Sequence, residues 1–536
     1  MSLLRFIPWK RSAPGPAAAA QPPILLQYRS STFFIVGTVC LSIFTDIFLY
    51  GLIVPVMPFA LTSRAGISHD ELQRWTAILV ATYGIALFVG SPIAGIYADH
   101  TSSRRLPLLL GLIALAASTI LLCVGRSITV FIIGRILQGC SAAVVWTVGL
   151  ALLADTMGRR IGLAMGYVSI SLSAGLLLAP LIGGAVYAGA GYYAVYYVAF
   201  GLIVLDISMR LLLIEKKVAL RWIKADGDVP LPSTQPAPTA SCERSPEADE
   251  ETADQLNQTA TLPSNPAESS TFQRVCTLLR LRRLIFALLG CTIDAGVLTA
   301  FDTVLPLFVQ ETFDWASTAA GLIFLSLFIP PLVLSPPVGM IADRVGTKWL
   351  SLAGFIALVP LLVCLRFIDH NSIEQKVVLG VLLSLLGVAL TFSNVPLMAE
   401  ISFTIEAEEE RNPGVWGSKG VYGVAYGLFN TAFALGSAGG SLLAGFIHAE
   451  FGWAIMSSVI AAWAAVGAVC AGVGVGEFSL GAPAKPKQEP ATELGLVQHA
   501  PPTIGPESTS LPVADTVAAE APDAANHDMD TKTTAF

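Results

Sequence analysis

Long apolar segments alternate with short polar connections along most of the chain. Each apolar segment is about 18 to 25 residues long or longer, and a helix of that length crosses a hydrocarbon layer of about 30 Å at a rise of about 1.5 Å per residue. The pattern predicts a polytopic helical membrane protein. Twelve spans are predicted, at approximately 33–60, 75–98, 106–125, 128–155, 161–188, 192–214, 284–310, 317–342, 349–367, 376–403, 418–447 and 452–475.

Composition agrees with this interpretation. Of the 536 residues, 54% are hydrophobic and 13% are charged, whereas soluble domains carry about 25% charged residues. These values exclude a soluble globular protein. The net charge of −7 adds little, because many acidic residues lie outside the spans, and no nucleic-acid partner is expected. The eight Cys residues have no metal-ligand spacing, so no metal site is expected.

Polar, Pro-rich segments divide the chain. Residues 218–272 are rich in Pro, Ser, Thr, Ala and acids, a composition typical of disorder. The predicted division is an N-terminal tail at 1–30, a six-helix bundle at 31–217, a disordered linker at 218–272, a second six-helix bundle at 273–478, and a disordered tail at 479–536.

The distribution of Lys and Arg predicts the orientation. With both termini in the cytosol, the outer loops carry only Arg64, Arg74, Arg126, Arg366 and Lys376. The inner loops then carry Arg104, Arg105, Arg159, Arg160, Arg344, Lys348, Arg411 and Lys419, together with a basic cluster at Arg274, Arg280, Arg282 and Arg283. No cleavable signal peptide is predicted.

One charged string occurs twice. GIYADHTSSRR at 95–105 and GMIADRVGTK at 339–348 both connect spans two and three of their half, so they indicate a duplicated six-helix unit. A pair of coincidental basic turns explains the cationic residues but not the Gly that precedes an Ala-Asp pair in both.

These strings resemble the signature loop of the major facilitator superfamily, Gly-x-x-x-Asp-Arg/Lys-x-Gly-x-Arg/Lys. The second string matches it in full, and the first has His100 and Ser102 in place of a basic residue and a glycine. The resemblance covers nearly all twelve spans. It implies that Asp99, Arg104, Asp343 and Arg344 hold helices together on the inner face and release them when the halves rock.

Arg135 and Gln138 share one face of the fourth span, in the string RILQG. An Arg inside a membrane costs about 2.5 kcal/mol or more and normally faces protein or water. The string resembles the superfamily's Arg-x-x-Gln-Gly motif, which is associated with proton coupling. A structural Arg that reaches the membrane interface is the alternative.

The fifth span carries GLLLAPLIGG at 175–184. It resembles the antiporter motif of the drug/proton antiporter branch. The residues expected to permit close approach and bending are Gly175, Pro180, Gly183 and Gly184. Simple packing accounts for the glycines alone, whereas their position in this span favours export over import.

Three acids lie within spans, Asp46 in the first and Asp294 and Asp302 in the seventh. A carboxylate kept from bulk water can hold and release a proton near neutral pH or attract a cation. We expect all three to bind proton or substrate, with a structural hydrogen bond as the alternative. Asp206 is expected to form a local ion pair with Arg210, and the role of Glu400 is left open.

Among relatives within the superfamily, the chain resembles vesicular amine transporters and fungal multidrug or metabolite exporters, on Asp46 with VPVMP, RILQG and LIGGAVY. Tyr83, Thr391 and Tyr426 stand where the amine transporters have charged residues, which argues against monoamine specificity. Tyr83 and Tyr426 suit a bulky or cationic ligand, as do Trp146 and Tyr422, and Asn430 is a candidate polar contact. Packing alone is the alternative for each aromatic.

The sequence thus predicts an all-α membrane protein with the major facilitator fold, twelve transmembrane helices in two six-helix bundles. We expect a monomeric proton-coupled antiporter that exports hydrophobic or cationic organic compounds, such as drugs, secondary metabolites or amines, across the plasma membrane rather than a vacuolar membrane. Its partners are a small organic substrate and the lipid bilayer. No ATP-binding loop occurs, so ATP hydrolysis by this chain is not expected to power transport directly. A transporter of this kind is expected to be no enzyme and to need no cofactor beyond the proton gradient. The alternatives are a proton-coupled importer of an organic acid or nutrient and a non-transporting membrane sensor.

Overall fold

The computed structural model describes residues 25–53, 57–101, 103–216, 218–219, 222, 271–315, 322–417 and 420–476. Within these ranges the backbone is almost entirely helical, and no strand occurs. The helices are α1 (Leu26–Arg29), α2 (Thr32–Ile53), α3 (Met57–Ser63), α4 (His69–His100), α5 (Arg105–Val124), α6 (Ile128–Met157), α7 (Ile161–Ala190), α8 (Tyr192–Leu212), α9 (Thr271–Leu278), α10 (Arg282–Phe313), α11 (Phe324–Val345), α12 (Thr347–Leu365), α13 (Ile373–Arg411), α14 (Tyr422–Phe451) and α15 (Trp453–Gly474).

The long helices confirm the predicted spans. In the described part of the chain, eleven stretches are long and apolar enough to cross a membrane, and one of them, Ile128–Ala190, contains both α6 and α7. The first predicted span contains α2 and the start of α3. Residues 54–56, with Pro55 among them, lie outside the described residues.

The packing of the helices repeats between the two halves of the chain. In the first half (α2–α8), α6 packs on α4 and α5, α2 packs on α7, and α8 packs on α2 and α5. The same contacts recur in the second half (α10–α15). There α13 packs on α11 and α12, α10 packs on α14, and α15 packs on α10 and α12. The halves meet through α4 with α14 and through α11 with α7. This correspondence fits a duplicated six-helix unit.

Apolar side chains also cover the outside of the helices. Ile85, Ile93, Leu442 and Val469 are each more than 60% exposed. A soluble protein rarely exposes so much contiguous apolar surface, whereas lipid tails accept it. The chain is an integral, multi-pass membrane protein.

The predicted linker at 218–272 and both predicted tails lie almost wholly outside the described residues. The domain boundaries drawn from the sequence therefore stay a prediction.

Candidate functional site

Asp99 joins the first half of the chain to the second at one end of the helices. This end carries the strings 95–105 and 339–348 and is called the loop end. The carboxylate of Asp99 accepts hydrogen bonds from the backbone N–H groups of Gly423 and Val424, both at 2.8 Å. These are the second and third residues of α14. Free N–H groups and the helix dipole favour a carboxylate at this position.

Asp343 makes the equivalent contact in the opposite direction. It accepts hydrogen bonds from the N–H groups of Gly162 at 2.7 Å and Leu163 at 2.9 Å, the second and third residues of α7. A Cβ at Gly339 would lie 2.2 Å from the carbonyl oxygen of Gly162, so glycine is needed for this close approach. The two signature strings thus hold the halves together at the loop end.

Both contacts continue one step further along the helices. Asn430 donates a hydrogen bond to Ser91 at 2.8 Å, and in the counterpart contact Ser335 donates to Ser169 at 3.1 Å. All four side chains are buried. The amide of Asn430, a predicted ligand contact, is therefore engaged between α4 and α14, and a role in ligand binding stays a prediction.

The basic residues of the two strings behave differently. Arg104 is buried and pairs with Asp99 at 3.1 Å and with Asp155 at 3.3 Å. Arg344 is exposed and forms no ion pair with a described residue. Gly346 has a φ of +95°, a conformation in which glycine is favoured, whereas its predicted counterpart Ser102 lies outside the described residues.

The small residues of the fifth span lie against the first. A Cβ at Gly175 would lie 2.7 Å from Ile47, and a Cβ at Gly183 would lie 2.9 Å from the carbonyl oxygen of Leu52. Gly184 has open space around it, and Pro180 is exposed. Gly175 and Gly183 therefore allow the close contact between α7 and α2, while the bending role of Pro180 and the part of all four residues in helix movement stay predictions.

Asp46 lies fully buried in the first half. The indole N–H of Trp146 on α6 donates a hydrogen bond to its Oδ2 at 3.1 Å, while its Oδ1 has no partner among the described residues. Trp146 also stacks on Phe433 of α14, with 6.4 Å between ring centroids. Asp46 is therefore connected through a single side chain to the second half of the molecule.

Arg135 and Gln138 are both buried on α6, as predicted for one helix face. The guanidinium Nη1 of Arg135 donates to Gln138 Oε1 at 3.0 Å. Arg135 Nε and Gln138 Nε2 have no acceptor in the described part of the chain. The guanidinium lies 5.8 Å from the ring centroid of Tyr50, which is 4.7 Å from that of Tyr83. Tyr83 thus belongs to the aromatic surroundings of Arg135.

The two acids of the seventh span differ in their surroundings. Asp294 is buried and accepts hydrogen bonds from Ser393 and, at 2.7 Å, from the amide of Asn394, both on α13. Asp302 is partly exposed, and no hydrogen bond joins it to a described residue. Neither acid forms an ion pair within the described ranges. Sequence reasoning missed Ser393 and Asn394, because ordinary polar residues in a span give no signal of their partner.

Other candidates have structural contacts. The Tyr426 hydroxyl is buried, lies 2.9 Å from Ser402 Oγ and donates to the Met398 carbonyl oxygen at 3.3 Å. Glu400 is buried and pairs with Arg283 at 2.8 Å. It also accepts from Thr347 and from the Gly476 N–H. These contacts support a structural role for Glu400, and a role of Tyr426 in binding stays a prediction.

Asp206 pairs with Arg210 as predicted. Arg210 Nε lies 3.2 Å from Asp206 Oδ1, and both side chains are buried. Ser42 on α2 donates a hydrogen bond to the same carboxylate oxygen at 2.6 Å. Ser42 was not identified from the sequence, because serine is common in transmembrane helices and its partner lies on another helix.

The chain is similar to known membrane transporters in both sequence and fold. The family model described as Major Facilitator Superfamily matches residues 39–290 and 284–511. An uncharacterized MFS-type transporter, C18.02 of Schizosaccharomyces pombe, is 33% identical over 431 residues, which are 80% of this chain and 92% of that protein. The MFS-type transporter ppzB of Metarhizium rileyi is 31% identical, over 84% of this chain and 96% of its own. Among solved structures, the human organic anion transporter MFSD10 superposes with a TM-score of 0.56 at 16% identity, covering 84% of this chain and 100% of its own.

Proposed function

Since the chain belongs to the Major Facilitator Superfamily and is a membrane transporter rather than an enzyme, we propose that it works as a proton-coupled antiporter that exports hydrophobic or cationic organic compounds. The observation that carries the proposal is a set of three intramembrane acids, Asp46, Asp294 and Asp302, without a salt bridge among the described residues. An ionised carboxylate without a counter-charge in a low-dielectric site is costly, so it takes up a proton or a cation.

Competition at one carboxylate is the minimal exchange mechanism. Asp46 accepts from Trp146 through one oxygen, and its second oxygen has no partner among the described residues. Tyr50, one turn further along α2, and Tyr83 on α4 supply aromatic faces. A cationic compound binds when the proton leaves, and a proton displaces the compound on the opposite side. Aromatic faces strengthen the binding of organic cations.

Alternating access requires that contact between the halves break at the loop end. The proposed exporter would open there when the Asp99 and Asp343 contacts release α14 and α7. In the proposed orientation the loop end and both termini face the cytosol, and the plasma membrane is the proposed location. The protein is proposed to act as a monomer that needs no cofactor beyond the proton gradient.

A growth assay followed by reconstitution tests the proposal. Cells with and without the gene are exposed to a panel of toxic organic cations, and cells that carry it are expected to tolerate some of these compounds better. A compound identified in this way is then assayed in proteoliposomes under an imposed proton gradient. Uphill movement against the proton flow supports antiport, whereas higher sensitivity of the cells and movement with protons support import.

Asp46→Asn and Asp302→Asn identify the exchanging group. We expect either change to abolish gradient-driven movement, because the amide cannot carry the proton. The matched control is Asp369→Asn, which alters an exposed acid in the connection between α12 and α13. Undiminished gradient-driven transport by the Asp46→Asn protein would remove this residue from the mechanism.

A second candidate function is transport of organic acids. It is favoured by the buried donors Arg135 Nε and Gln138 Nε2, which have no acceptor within the described residues and suit a carboxylate ligand. Under this alternative, Arg135→Gln abolishes movement of carboxylate compounds and leaves movement of cationic compounds intact. Under the first proposal, Arg135→Gln also reduces the movement of cationic compounds, because the charge of the guanidinium influences proton binding by the intramembrane acids.

A further inference from the structure

Three charged side chains of α2 and α8 occupy one buried region of the first half. Asp46, Asp206 and Arg210 are at most 4% exposed. Arg210 pairs with Asp206, and Ser42, one helical turn before Asp46 on α2, donates to Asp206 at 2.6 Å. Residues four apart share a helix face, so Asp46 lies one turn along α2 from the serine that holds the Asp206 carboxylate.

The hydrogen bonds of this group are incomplete. Asp46 Oδ1, Asp206 Oδ2 and Arg210 Nη2 are all buried and have no partner among the described residues. The region holds two carboxylates and one guanidinium, and the guanidinium pairs with Asp206, so the group carries one excess negative charge when both acids are ionised. Burial of an unbalanced charge is expensive, and binding one proton restores neutrality.

Among the described residues, no second cation forms an ion pair with Asp46 or Asp206. Trp146 on α6 is a neutral donor to Asp46. The cation of α6, Arg135, donates to Gln138 and lies 5.8 Å from the ring centroid of Tyr50, which packs against the neutral Tyr83 of α4. The sequence of α7 contains no charged residue. Arg105, at the start of α5, lies on the far side of a small cavity described next.

A cavity of about 10 Å³ lies beside Arg210, with room for about one water molecule. Thr38, Ser42, Arg105 and Arg210 contribute its polar lining. Arg105 begins α5 at the loop end, and Leu213, which also lines the cavity, directly follows α8. The cavity therefore lies on the loop-end side of the charged group, where a water molecule can contact Arg210.

We propose that Asp46, Asp206 and Arg210 form one proton-binding unit in which the two carboxylates share a single proton. Asp206 and Arg210 are positioning residues, since they determine when Asp46 becomes charged without themselves contacting the transported compound. The unit is neutral with the proton and carries a charge of −1 without it, which is the state that attracts a cation. This inference rests on the proposed proton coupling and assigns one proton to the unit.

Infrared difference spectroscopy on the full-length protein in lipid nanodiscs, without substrate, measures the protonated carboxyl signal during a pH titration. In the wild type we expect the unit to contribute the signal of one protonated carboxyl group. In Asp206→Asn, Asp46 and Arg210 balance each other, so this signal moves to more acidic pH by about one pH unit or more. Asp46→Asn gives the same result, because Asp206 and Arg210 remain balanced.

Arg210→Gln tests the charge count in the opposite direction. Without the guanidinium the two carboxylates have no counter-charge. The amplitude of the signal therefore approaches that of two protonated carboxyl groups, and its midpoint moves to more alkaline pH. Asp369→Asn is the control, and we expect it to leave the titration of the unit unchanged. If Arg210→Gln does not fold, the near-isosteric Asp206→Asn change decides by itself.

A purely structural ion pair predicts a different result. In that case Asp206→Asn leaves both the midpoint and the amplitude of the Asp46 signal at wild-type values, and this result overturns the inference. The proposed transport function is tested separately by compound movement in proteoliposomes. A protein that titrates as expected but moves no compound contradicts the function and leaves the inference standing.

Discussion

Trp146 links Asp46 to the second half of the molecule. Its indole N–H supplies a hydrogen bond to the carboxylate, and its ring stacks on Phe433 of the second half. A hydrogen bond to an ionised group contributes about 1.5 to 3 kcal/mol, so it stabilises the charged form of the acid. The same residue therefore connects the charge of Asp46 to the contact between the halves.

Trp146→Phe is expected to move the pH midpoint of proton-driven exchange to more alkaline values. Phenylalanine keeps an aromatic ring against Phe433 but cannot donate to Asp46, so the charged carboxylate becomes less stable relative to the protonated one. The measurement is the pH profile of compound exchange in proteoliposomes. We expect its midpoint to shift by about one pH unit.

Trp463 on α15 is a matched control. Its indole Nε1 is buried without a partner in the described part of the chain, so Trp463→Phe removes an N–H that holds no acid. We expect its pH profile to match the wild type. Equal shifts in both variants would show that loss of a buried indole, rather than loss of the Asp46 hydrogen bond, causes the effect.

The contacts at the loop end belong to whole helices, because each acid caps the first turn of a helix from the other half. Asp99 caps α14, and Asp343 caps α7. Loss of a capping group costs about 1 kcal/mol, which changes an equilibrium about fivefold. Each contact is therefore strong enough to bias the closed state and weak enough to break during transport.

Asp343→Ala is expected to increase opening at the loop end about fivefold. A cysteine placed at Ser169, which is buried between α7 and α11, reports the opening through its rate of maleimide labelling, corrected for the native cysteines. Asp314→Asn, at the opposite end of α10, is the control and should label at the parent rate. A labelling rate in Asp343→Ala no higher than in the control would contradict the proposed role of the contact.

The whole molecule is held together by contacts between two halves whose helix packing is equivalent. We expect a chain split within the predicted linker, between residues 240 and 241, to assemble from two separately expressed pieces. The contacts of α4 with α14 and of α7 with α11 join the halves without a covalent connection. The measurement is copurification of the second half with an affinity-tagged first half after mild solubilisation.

Close backbone contacts provide the control for this assembly. A Cβ at Gly166 would lie 2.5 Å from the carbonyl oxygen of Ser335, and a Cβ at Gly427 would lie 2.7 Å from that of Ser91. The split chain with Gly166→Leu and Gly427→Leu should therefore lose copurification. Failure of the unsubstituted split chain to copurify would mean that the linker is needed for assembly.

Hydropathy and spacing along the chain were sufficient to locate the long helices, the internal duplication and the acids that lie within the membrane. These features are local, since the length of an apolar segment and the position of an acid within it depend on neighbouring residues alone. The ion pair between Asp206 and Arg210 was predictable for the same reason, because residues four apart share a helix face.

The partners of the remaining acids depended on how distant helices pack. Trp146 is 100 residues from Asp46, Ser42 is 164 residues from Asp206, and Asn394 is 100 residues from Asp294. No local pattern encodes these pairs, since tryptophan, serine and asparagine in a span look the same with or without an acid opposite. Helix packing brings them together, and it thereby buries Asp46 and the Asp206–Arg210 pair in the first half and an acid held by neutral donors in the second.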